Sequence, residues 1–347
     1  MESPILDEAY ERLHFAGPEW GGNLSNHGPM AVEVLVRRGH GAQVPHWVDE
    51  YVGRLDELPA PSDAITEQNW PEAVGDFRRV GDWTRYFTGE LEEGPWREVL
   101  ATWWPRMING IAAGATHSAI RVGHVVRGLL AGDESPPAIA ELAHALAYWA
   151  ARSRTVPGVV APAGHADAAT ALANVPRIPD QNGPIAGRLD RLGQLTGWPA
   201  SLAALRAITD PDDAQRLLSE LVTAATLRYG THGYGSPVLL VHTATAPNAV
   251  LHVLPALPRD LWVPSAVAAW VASAAVTATY GPADPAPALP VSEAGAAVAN
   301  ALDRAAAHGD EHVIKFTDTA AEVYERTGEV GALAAIERVF QLIPRAG

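Results

Sequence analysis

The sequence predicts an all-α protein, a multi-helix bundle formed by a single chain. Three observations support this class. Apolar residues recur at helical spacing along most of the 347 residues, and strand-like alternation is absent. There is no βαβ alternation and no internal repeat. The chain is 48% hydrophobic, enough for a sizeable core. We expect one domain over residues 1–347, with a candidate sub-domain boundary in the loop at residues 175–184.

Composition excludes several classes of function. The formal net charge of −15 argues against nucleic acid or an anionic membrane as a partner. The chain has no cysteine, which excludes disulfides, thiolate zinc sites and a cysteine nucleophile. The N-terminal segment is acidic and lacks an apolar run, so we expect no signal peptide and a cytoplasmic location. Trp262–Tyr280 is long and apolar, but only Arg259 flanks it with positive charge, so we predict a buried core helix.

The first motif in chain order is a glycine- and asparagine-rich loop, His14–His27. It leads into a helix with Pro29 near its start and Gly39 at its end. His27 is therefore expected at the mouth of a helix, where loop backbone shapes its surroundings. The alternative is that Asn26 or His27 only caps the helix.

Tryptophans are dense in the next stretch, between residues 70 and 104. This density is more typical of core packing than of a flat aromatic pocket. The members are Trp70, Trp83, Trp96, Trp103 and Trp104.

Residues 105–132 are predicted to form one long helix. His117, Arg121 and His124 fall at i, i+4 and i+7, which places them on one stripe of that helix. Glycines inside the same stretch suggest close approach by another element. The stripe indicates a candidate site, with satisfied structural histidines as the alternative.

Further helices are predicted up to the C-terminus, and one of them contains His242. This histidine lies in an apolar run in which Pro247 bends or breaks the helix. His252 lies about 80° away from His242 on a regular helix, so the two are not expected to share a site. The predicted helices cover residues 138–152, 167–174, 185–196, 199–207, 211–228, 292–308, 310–326 and 330–343.

Lys315 is the only lysine in the chain. It lies three residues after His312, so both side chains are expected on one helix face. A buried lysine loses hydration and its pKa falls, which favours the neutral, nucleophilic amine. The alternative is a lysine that reaches solvent from an alanine-rich helix.

Imidazoles without thiolates suit iron, zinc, copper or nickel. Two ExxH pairs, Glu11 with His14 and Glu141 with His144, allow a di-iron reading. We do not favour it, because the first pair lies in a charged segment that looks solvated. A lysine carbamate would supply a carboxylate instead. No GxSxG, P-loop or GxGxxG motif is present, so bound flavin or nicotinamide is not expected.

Four segments together resemble the questin oxidase-like family. They read NLSNHGPMAVEVL, THSAIRVGHVVRGL, LVHTATAPNAV and DEHVIKFTDTA, and they span residues 23–320. The resemblance implies a helical fold and an oxidoreductase acting on anthraquinones or related aromatic polyketides. Members are described as ring-opening oxygenases, some of the Baeyer–Villiger type. It also implies a mononuclear non-haem iron site with four histidines and a carboxylated lysine.

The resemblance places the implied metal ligands at matching positions of this chain. His124 is a less certain ligand, because its position resembles a tyrosine in some relatives. His252 is left out, because relatives tend to have arginine there. The implied ligands are His27, His117, His242, His312 and Lys315.

The implied cofactors are Fe(II) and carbon dioxide as the lysine carbamate, with external NADPH as an optional reductant. The implied partners are a small aromatic substrate and dioxygen. We further predict that Arg121 holds a substrate phenolate, and that Trp83, Trp103 and Trp104 stack on the substrate. The sequence makes no prediction of oligomeric state.

Two alternatives belong to other functional classes. The first is a metal-dependent hydrolase that uses a carboxylated lysine, a chemistry typical of βα barrels, whose alternation this chain lacks. The second is a helical scaffold without chemistry, in which the histidines are structural.

Overall fold

The computed structural model describes residues 3–290 and 297–345. Within these residues the regular structure is helical, apart from the two-residue antiparallel strands β1 (Glu19–Trp20) and β2 (Leu24–Ser25). The predicted all-α class is confirmed. The chain divides into two compact units. The first comprises Met1–Thr155 and His252–Pro258, and the second comprises Val156–Leu251 and Arg259–Gly347. The loop at residues 175–184 lies inside the second unit.

The first unit is built around α8 (Pro136–Arg152), which packs against α1 (Pro4–His14), α5 (Val80–Glu93) and α7 (His117–Leu130). Ser135 caps α8 through its side chain, and prolines fill the first helical turn. The α-helices are α1 (Pro4–His14), α2 (Gly28–Arg37), α3 (Val44–Val52), α4 (Trp70–Ala73), α5 (Val80–Glu93), α6 (Trp96–Met107), α7 (His117–Leu130) and α8 (Pro136–Arg152). Short 3₁₀ segments cover Gly41–Gln43, Phe77–Arg79, Ile108–Gly110, Ala113–Thr116 and Leu254–Ala256.

The prediction of one helix over residues 105–132 is wrong. α6 ends at Met107 and α7 begins at His117. Between them Gly114, Ala115 and Thr116 all have positive φ, of 58°, 54° and 70°. Three successive left-handed residues cannot continue a right-handed helix, so the chain changes direction immediately before His117.

The tryptophan-rich stretch forms core rather than a pocket. Trp83 and Trp103 are fully buried and meet edge to face with ring centroids 5.4 Å apart. Trp104 is equally buried and contacts Trp149 at 5.1 Å. The indole N–H of Trp83 donates to the Ala73 carbonyl. These rings leave no face for a substrate, so the prediction that they stack on one is corrected.

The second unit is built around α12 (Pro211–His232), which packs against α15 (Trp262–Tyr280), α17 (Glu311–Thr327) and α18 (Val330–Leu342). Asp210 caps α12 and Asp310 caps α17, each accepting backbone N–H groups of the first turn. The α-helices are α9 (Ala168–Ala173), α10 (Ile185–Arg191), α11 (Trp198–Ala204), α12 (Pro211–His232), α13 (Pro237–Leu240), α14 (His242–Val253), α15 (Trp262–Tyr280), α16 (Ala297–His308), α17 (Glu311–Thr327) and α18 (Val330–Leu342). Short 3₁₀ segments cover Leu192–Gln194, Gly233–Gly235 and Arg259–Leu261.

Most predicted helices occur with bounds shifted by a few residues. The helix predicted over 185–196 ends as an α-helix at Arg191 and continues as a 3₁₀ turn. Pro247 lies inside α14 without ending it. The start of the helix predicted over 292–308 lies outside the described residues; its remainder is α16.

Two segments are long and apolar enough to cross a bilayer, judged by length and composition alone. They are Pro237–Ala256 and Arg259–Tyr280, and 72% and 78% of their most apolar windows are buried inside the protein. Burial of this extent is what core helices of a soluble protein show. The core-helix prediction for Trp262–Tyr280 is consistent with it.

Candidate metal centre

His27 stands where the β1–β2 hairpin enters α2. It occupies the N-cap position, but its imidazole makes no capping hydrogen bond. The capping is done by Asn26, whose Oδ1 accepts from the backbone N–H of Gly28 at 2.9 Å. The His27 backbone N–H donates to the Tyr51 hydroxyl at 2.7 Å. The imidazole of His27 is buried and does not cap α2.

His117 is the first residue of α7 and follows the left-handed turn directly. Its Nδ1 donates to the carbonyl oxygen of Gly114, because a carbonyl can only accept. In a neutral ring this hydrogen bond leaves the lone pair on Nε2. The strained turn therefore fixes the tautomer that a metal ligand needs.

The two imidazoles face each other in the first unit. The Nε2 atoms of His27 and His117 are 2.7 Å apart, and both residues are buried. Two ring nitrogens at this separation need a proton or a cation between them, because two lone pairs repel. With His117 in the Nδ1–H tautomer, this is a pair of nitrogen donors suited to a divalent transition metal.

We expect Ala115→Gly to stabilise the protein. The left-handed conformation costs an L-residue about 1–2 kcal/mol, while the added chain entropy of glycine costs about 0.4–1 kcal/mol. A net gain of up to about 1.5 kcal/mol in the free energy of unfolding follows, measurable by urea denaturation.

Two variants control for this effect. Gly114→Ala should destabilise the protein, because it places a Cβ on a residue with positive φ. The nearest atom to that Cβ would be the Tyr148 hydroxyl at 3.4 Å, so a steric clash does not contribute. Ala140→Gly, inside the regular helix α8, should cost about 1 kcal/mol. If Ala115→Gly destabilised as much as Ala140→Gly, the turn would not be strained.

The second unit contributes two more of the predicted histidines. His242 is the first residue of α14 and is fully buried, and His312 lies in the first turn of α17. Their ring centroids are 6.0 Å apart. Asp310 and Glu311 adjoin His312, and one ligand atom from each of these three residues lies within 4.8 Å of the others.

Lys315 lies one turn along α17 from His312 and is 1% exposed. Its Nζ has no hydrogen-bond partner among the described residues. Burial lowers the pKa of this amine to about 7, although the nearby Glu311 and Asp310 carboxylates oppose the shift. The alternative of a lysine that reaches solvent is therefore wrong. A large fraction of the amine is neutral near pH 7.

The donors present in each unit fit a bound metal. The first unit offers the paired Nε2 atoms of His27 and His117. The second offers the His242 and His312 rings and the unpartnered Lys315 amine. A buried amine without a partner is costly to the apoprotein, and a ligand or a covalent modification removes that cost.

Arg121, by contrast, is engaged elsewhere. Its guanidinium donates from Nε and Nη2 to the two carboxylate oxygens of Glu141, at 2.5 and 2.7 Å. Both side chains are buried. His14 Nε2 lies 2.9 Å from the same carboxylate and stacks on His144 with ring centroids 4.4 Å apart. The phenolate role predicted for Arg121 gains no support from this geometry.

The two ExxH pairs contact each other through His14 of the first and Glu141 of the second. Arg121 donates two hydrogen bonds to that carboxylate and Glu11 is exposed, so this geometry gives the di-iron interpretation no support. His144 is held neutral, because burial first and the nearby His14 second lower its pKa to about 3. The YERLHF segment is predicted to be solvated, but this prediction is wrong for His14, which is largely buried against α8.

His124 also has a structural partner. Its Nδ1 lies 2.8 Å from Glu33 Oε2, and Arg127 makes a bidentate ion pair with the same carboxylate. Glu33 is on α2, six residues after His27, and Arg127 is on α7, ten residues after His117. This buried ion pair fastens the two helices that carry the histidine pair. Glu33 is not among the predicted site residues, although a glutamate in an apolar helix is a signal for a buried ion pair.

The comparison with protein families gives one match. The model of a family described as questin oxidase-like matches residues 42–319. The match includes His117, His242, His312 and Lys315, while His27 precedes it. A search of curated proteins found no significant match.

Proposed function

Because the chain belongs to the questin oxidase-like family, we propose that it is a mononuclear non-haem iron oxygenase. The family indicates an oxidoreductase that acts on aromatic substrates. The finer proposal is that it inserts oxygen into, or opens, a ring of an aromatic polyketide such as an anthraquinone, in the cytoplasm. Its partners are that small substrate and dioxygen. The observation that carries the proposal is the buried, unpartnered amine of Lys315 one turn from His312.

One iron ion per chain is proposed, held by the five ligands that the resemblance implies. They are His27, His117, His242, His312 and Lys315. Support comes from the burial of all five and from the donor contacts within each unit. When bound, iron would supply the redox chemistry that activates dioxygen.

Lys315 is proposed to act as its carbamate. The neutral amine attacks carbon dioxide, a nitrogen–carbon bond forms, and one proton is released to solvent. The product is a side chain with a monoanionic carboxylate. A depressed pKa favours this step, because only the neutral amine carries the lone pair. The anion would balance part of the charge of Fe(II) among four neutral imidazoles.

The surrounding residues fix the protonation and direction of the ligands. The Gly114 carbonyl holds the proton of His117 on Nδ1. Asp310 accepts from the backbone N–H groups of His312 and Val313, which fixes the first turn of α17. External NADPH is a candidate reductant; it would act from solution, since the sequence has no dinucleotide-binding motif.

Elemental analysis tests the proposal directly. We expect about one iron per chain in tag-free protein loaded anaerobically without chelator, and a carbamate carbon in the ¹³C spectrum after equilibration with labelled bicarbonate. Zinc in place of iron would support the hydrolase instead, and no metal would support the scaffold.

The stoichiometry of two variants tests the shared ligand set. If a single iron ion takes ligands from the first unit and from the second unit, His27→Ala and His242→Ala should each lower the iron content of the whole chain. Exposed His46 lies in the same unit as His27 and provides the control, since His46→Ala should keep full iron content. Loss of about half the metal in each variant would show two separate sites and refute the single centre.

A further inference from the structure

Tyr148 of α8 lies beside the hairpin that leads into His27. Its side chain is buried, and its hydroxyl donates to Glu19 Oε1 at 3.0 Å. That hydroxyl carries a single proton, so the Ser25 hydroxyl, whose oxygen is 2.7 Å away, must donate to it. Glu19 and Ser25 are opposite each other in the β1–β2 hairpin. One tyrosine oxygen therefore joins both strands, and the second strand ends two residues before His27.

The same hydroxyl lies next to the turn that leads into His117. A Cβ added at Gly114 would lie 3.4 Å from the Tyr148 hydroxyl oxygen. The Gly114 carbonyl accepts the Nδ1 proton of His117 and so orients that ring. Gly114 is also the first of the three successive residues with positive φ. The tyrosine oxygen thus lies against the segment that precedes each histidine of the pair.

A largely buried ion pair holds the tyrosine proton in place. Arg152, one turn along α8 from Tyr148, donates from Nε to Glu19 Oε1 at 2.7 Å and from Nη2 to the second oxygen. Its guanidinium also stacks on the Phe77 ring, 3.8 Å from the ring centroid. Burial and then the Glu19 charge raise the pKa of Tyr148, so its phenol stays protonated. Tyr148 is therefore a fixed hydrogen-bond donor rather than a group that exchanges protons.

The positions of the two histidines depend on the segments that precede them. His27 is the N-cap residue of α2, and His117 is the first residue of α7. The ion pair between Glu33 and Arg127 joins those helices further along, six and ten residues beyond the histidines. The two Nε2 atoms are 2.7 Å apart, and N–H hydrogen bonds in proteins extend over only about 2.7–3.2 Å. A shift of more than about 0.5 Å in the hairpin or in the turn would therefore separate the rings.

We infer that Tyr148 is a positioning residue, whose hydroxyl sets the separation of the His27 and His117 rings by holding the hairpin and the turn at one point of α8. The inference rests on the proposed metal centre for its functional meaning, because hydrogen bonds behind the ligands orient them towards a metal. The ring contact itself belongs to the metal-free protein and is measurable there. The inference and the proposed function can therefore fail separately.

Tyr148→Phe tests the inference, since phenylalanine keeps the ring and removes the hydroxyl. In metal-free protein with ¹⁵N-labelled histidine, the wild type should show a scalar coupling between the Nε2 nuclei of His27 and His117 across their shared proton. The variant His27→Ala assigns this signal, because it lacks one of the two rings. We expect Tyr148→Phe to lose the coupling. Its affinity for iron(II), measured anaerobically by competition with a chelator, should fall by about tenfold to a hundredfold.

Two further variants complete the test. Ser25→Ala removes only the contact between the hairpin and Tyr148, so it should weaken the coupling and the iron affinity by less than Tyr148→Phe does. This variant also decides the question if Tyr148→Phe does not fold. Tyr86→Phe is the matched control, because Tyr86 lies on α5 of the same unit and donates to a carboxylate, Glu67 Oε1 at 3.3 Å. It should leave both readouts unchanged.

Three results separate the possible outcomes. If Tyr148→Phe keeps the coupling and the iron affinity while its urea midpoint falls, the hydroxyl has a structural role only and the inference is overturned. Absence of the coupling in the wild type would also overturn it, because the ring contact would not exist in solution. If the wild type shows the coupling but binds no iron, the proposed metal centre fails, and the coupling in Tyr148→Phe still decides the role of the hydroxyl.

Discussion

Lys315→Met is expected to abolish metal binding and turnover while stabilising the metal-free protein. Methionine has a similar unbranched stem but no amine to desolvate, and it cannot form a carbamate. The wild-type amine is buried without a hydrogen-bond partner. Removing an unsatisfied buried polar group of this kind recovers about 1–3 kcal/mol. Iron content by mass spectrometry and urea denaturation of both metal-free proteins provide the two measurements.

Lys315→Arg is the informative counterpart. Its guanidinium cannot lose its proton in a protein, so the charge must stay buried at this position. We expect this variant to lose the metal as Lys315→Met does, but to be less stable than the wild type. If Lys315→Met stabilises the metal-free protein and Lys315→Arg destabilises it, the site accepts a neutral side chain and disfavours a charged one. Full iron content in Lys315→Met would refute the ligand role, and a destabilised metal-free Lys315→Met would show that the amine makes stabilising contacts.

Functional residues are often unfavourable for folding, so replacing one can stabilise a protein while it abolishes activity. The composition already contained this signal, since a chain that otherwise uses only arginine keeps one lysine among apolar residues. Helical periodicity likewise predicted the all-α class, because it depends on residues near in sequence. The same periodicity placed Lys315 and His312 on one face of α17.

Features that depend on partners distant in sequence were not predictable in this way. The stripe of His117, Arg121 and His124 is regular on α7, yet Glu141 and Glu33 engage its second and third members. Those carboxylates lie on other helices, and no spacing rule joins them to α7.

Backbone strain was the other source of error. The glycines of residues 110–123 are predicted to mark close approach by another element, and Gly110 does so, because a Cβ there would lie 3.0 Å from the backbone nitrogen of Arg154. Gly114 instead begins a left-handed turn that Ala115 and Thr116 continue, at φ values that residues with a Cβ rarely adopt. Local propensity favours a helix there, and only the surrounding fold holds the turn. Strain of this kind is common next to functional residues, and here it precedes His117.

Glu141→Gln is expected to destabilise the protein by about 3–5 kcal/mol, because it leaves the buried Arg121 guanidinium without its counter-charge. Both side chains are almost fully shielded from solvent. Burial alone would raise the pKa of Glu141, but the Arg121 charge and hydrogen bonds lower it to about 2, from 4.5. The stabilising contribution is thus fully present above pH 4.5 and is lost as the pH falls towards about 2. Denaturant titrations of wild type and variant between these pH values should converge as the pH falls.

The double variant Arg121→Met with Glu141→Leu tests whether Arg121 has a structural role only or also binds a substrate phenolate. Replacing both charges by apolar groups removes the desolvation cost as well as the attraction, so we expect most of the stability lost in Glu141→Gln to return. If Arg121 serves only Glu141, the double variant should also keep its iron and its KM for an aromatic substrate. If Arg121 instead holds a substrate phenolate, KM should rise about tenfold or more although stability is restored. Nε and Nη2 of Arg121 already donate to Glu141. We therefore expect the double variant to keep its iron content and its KM.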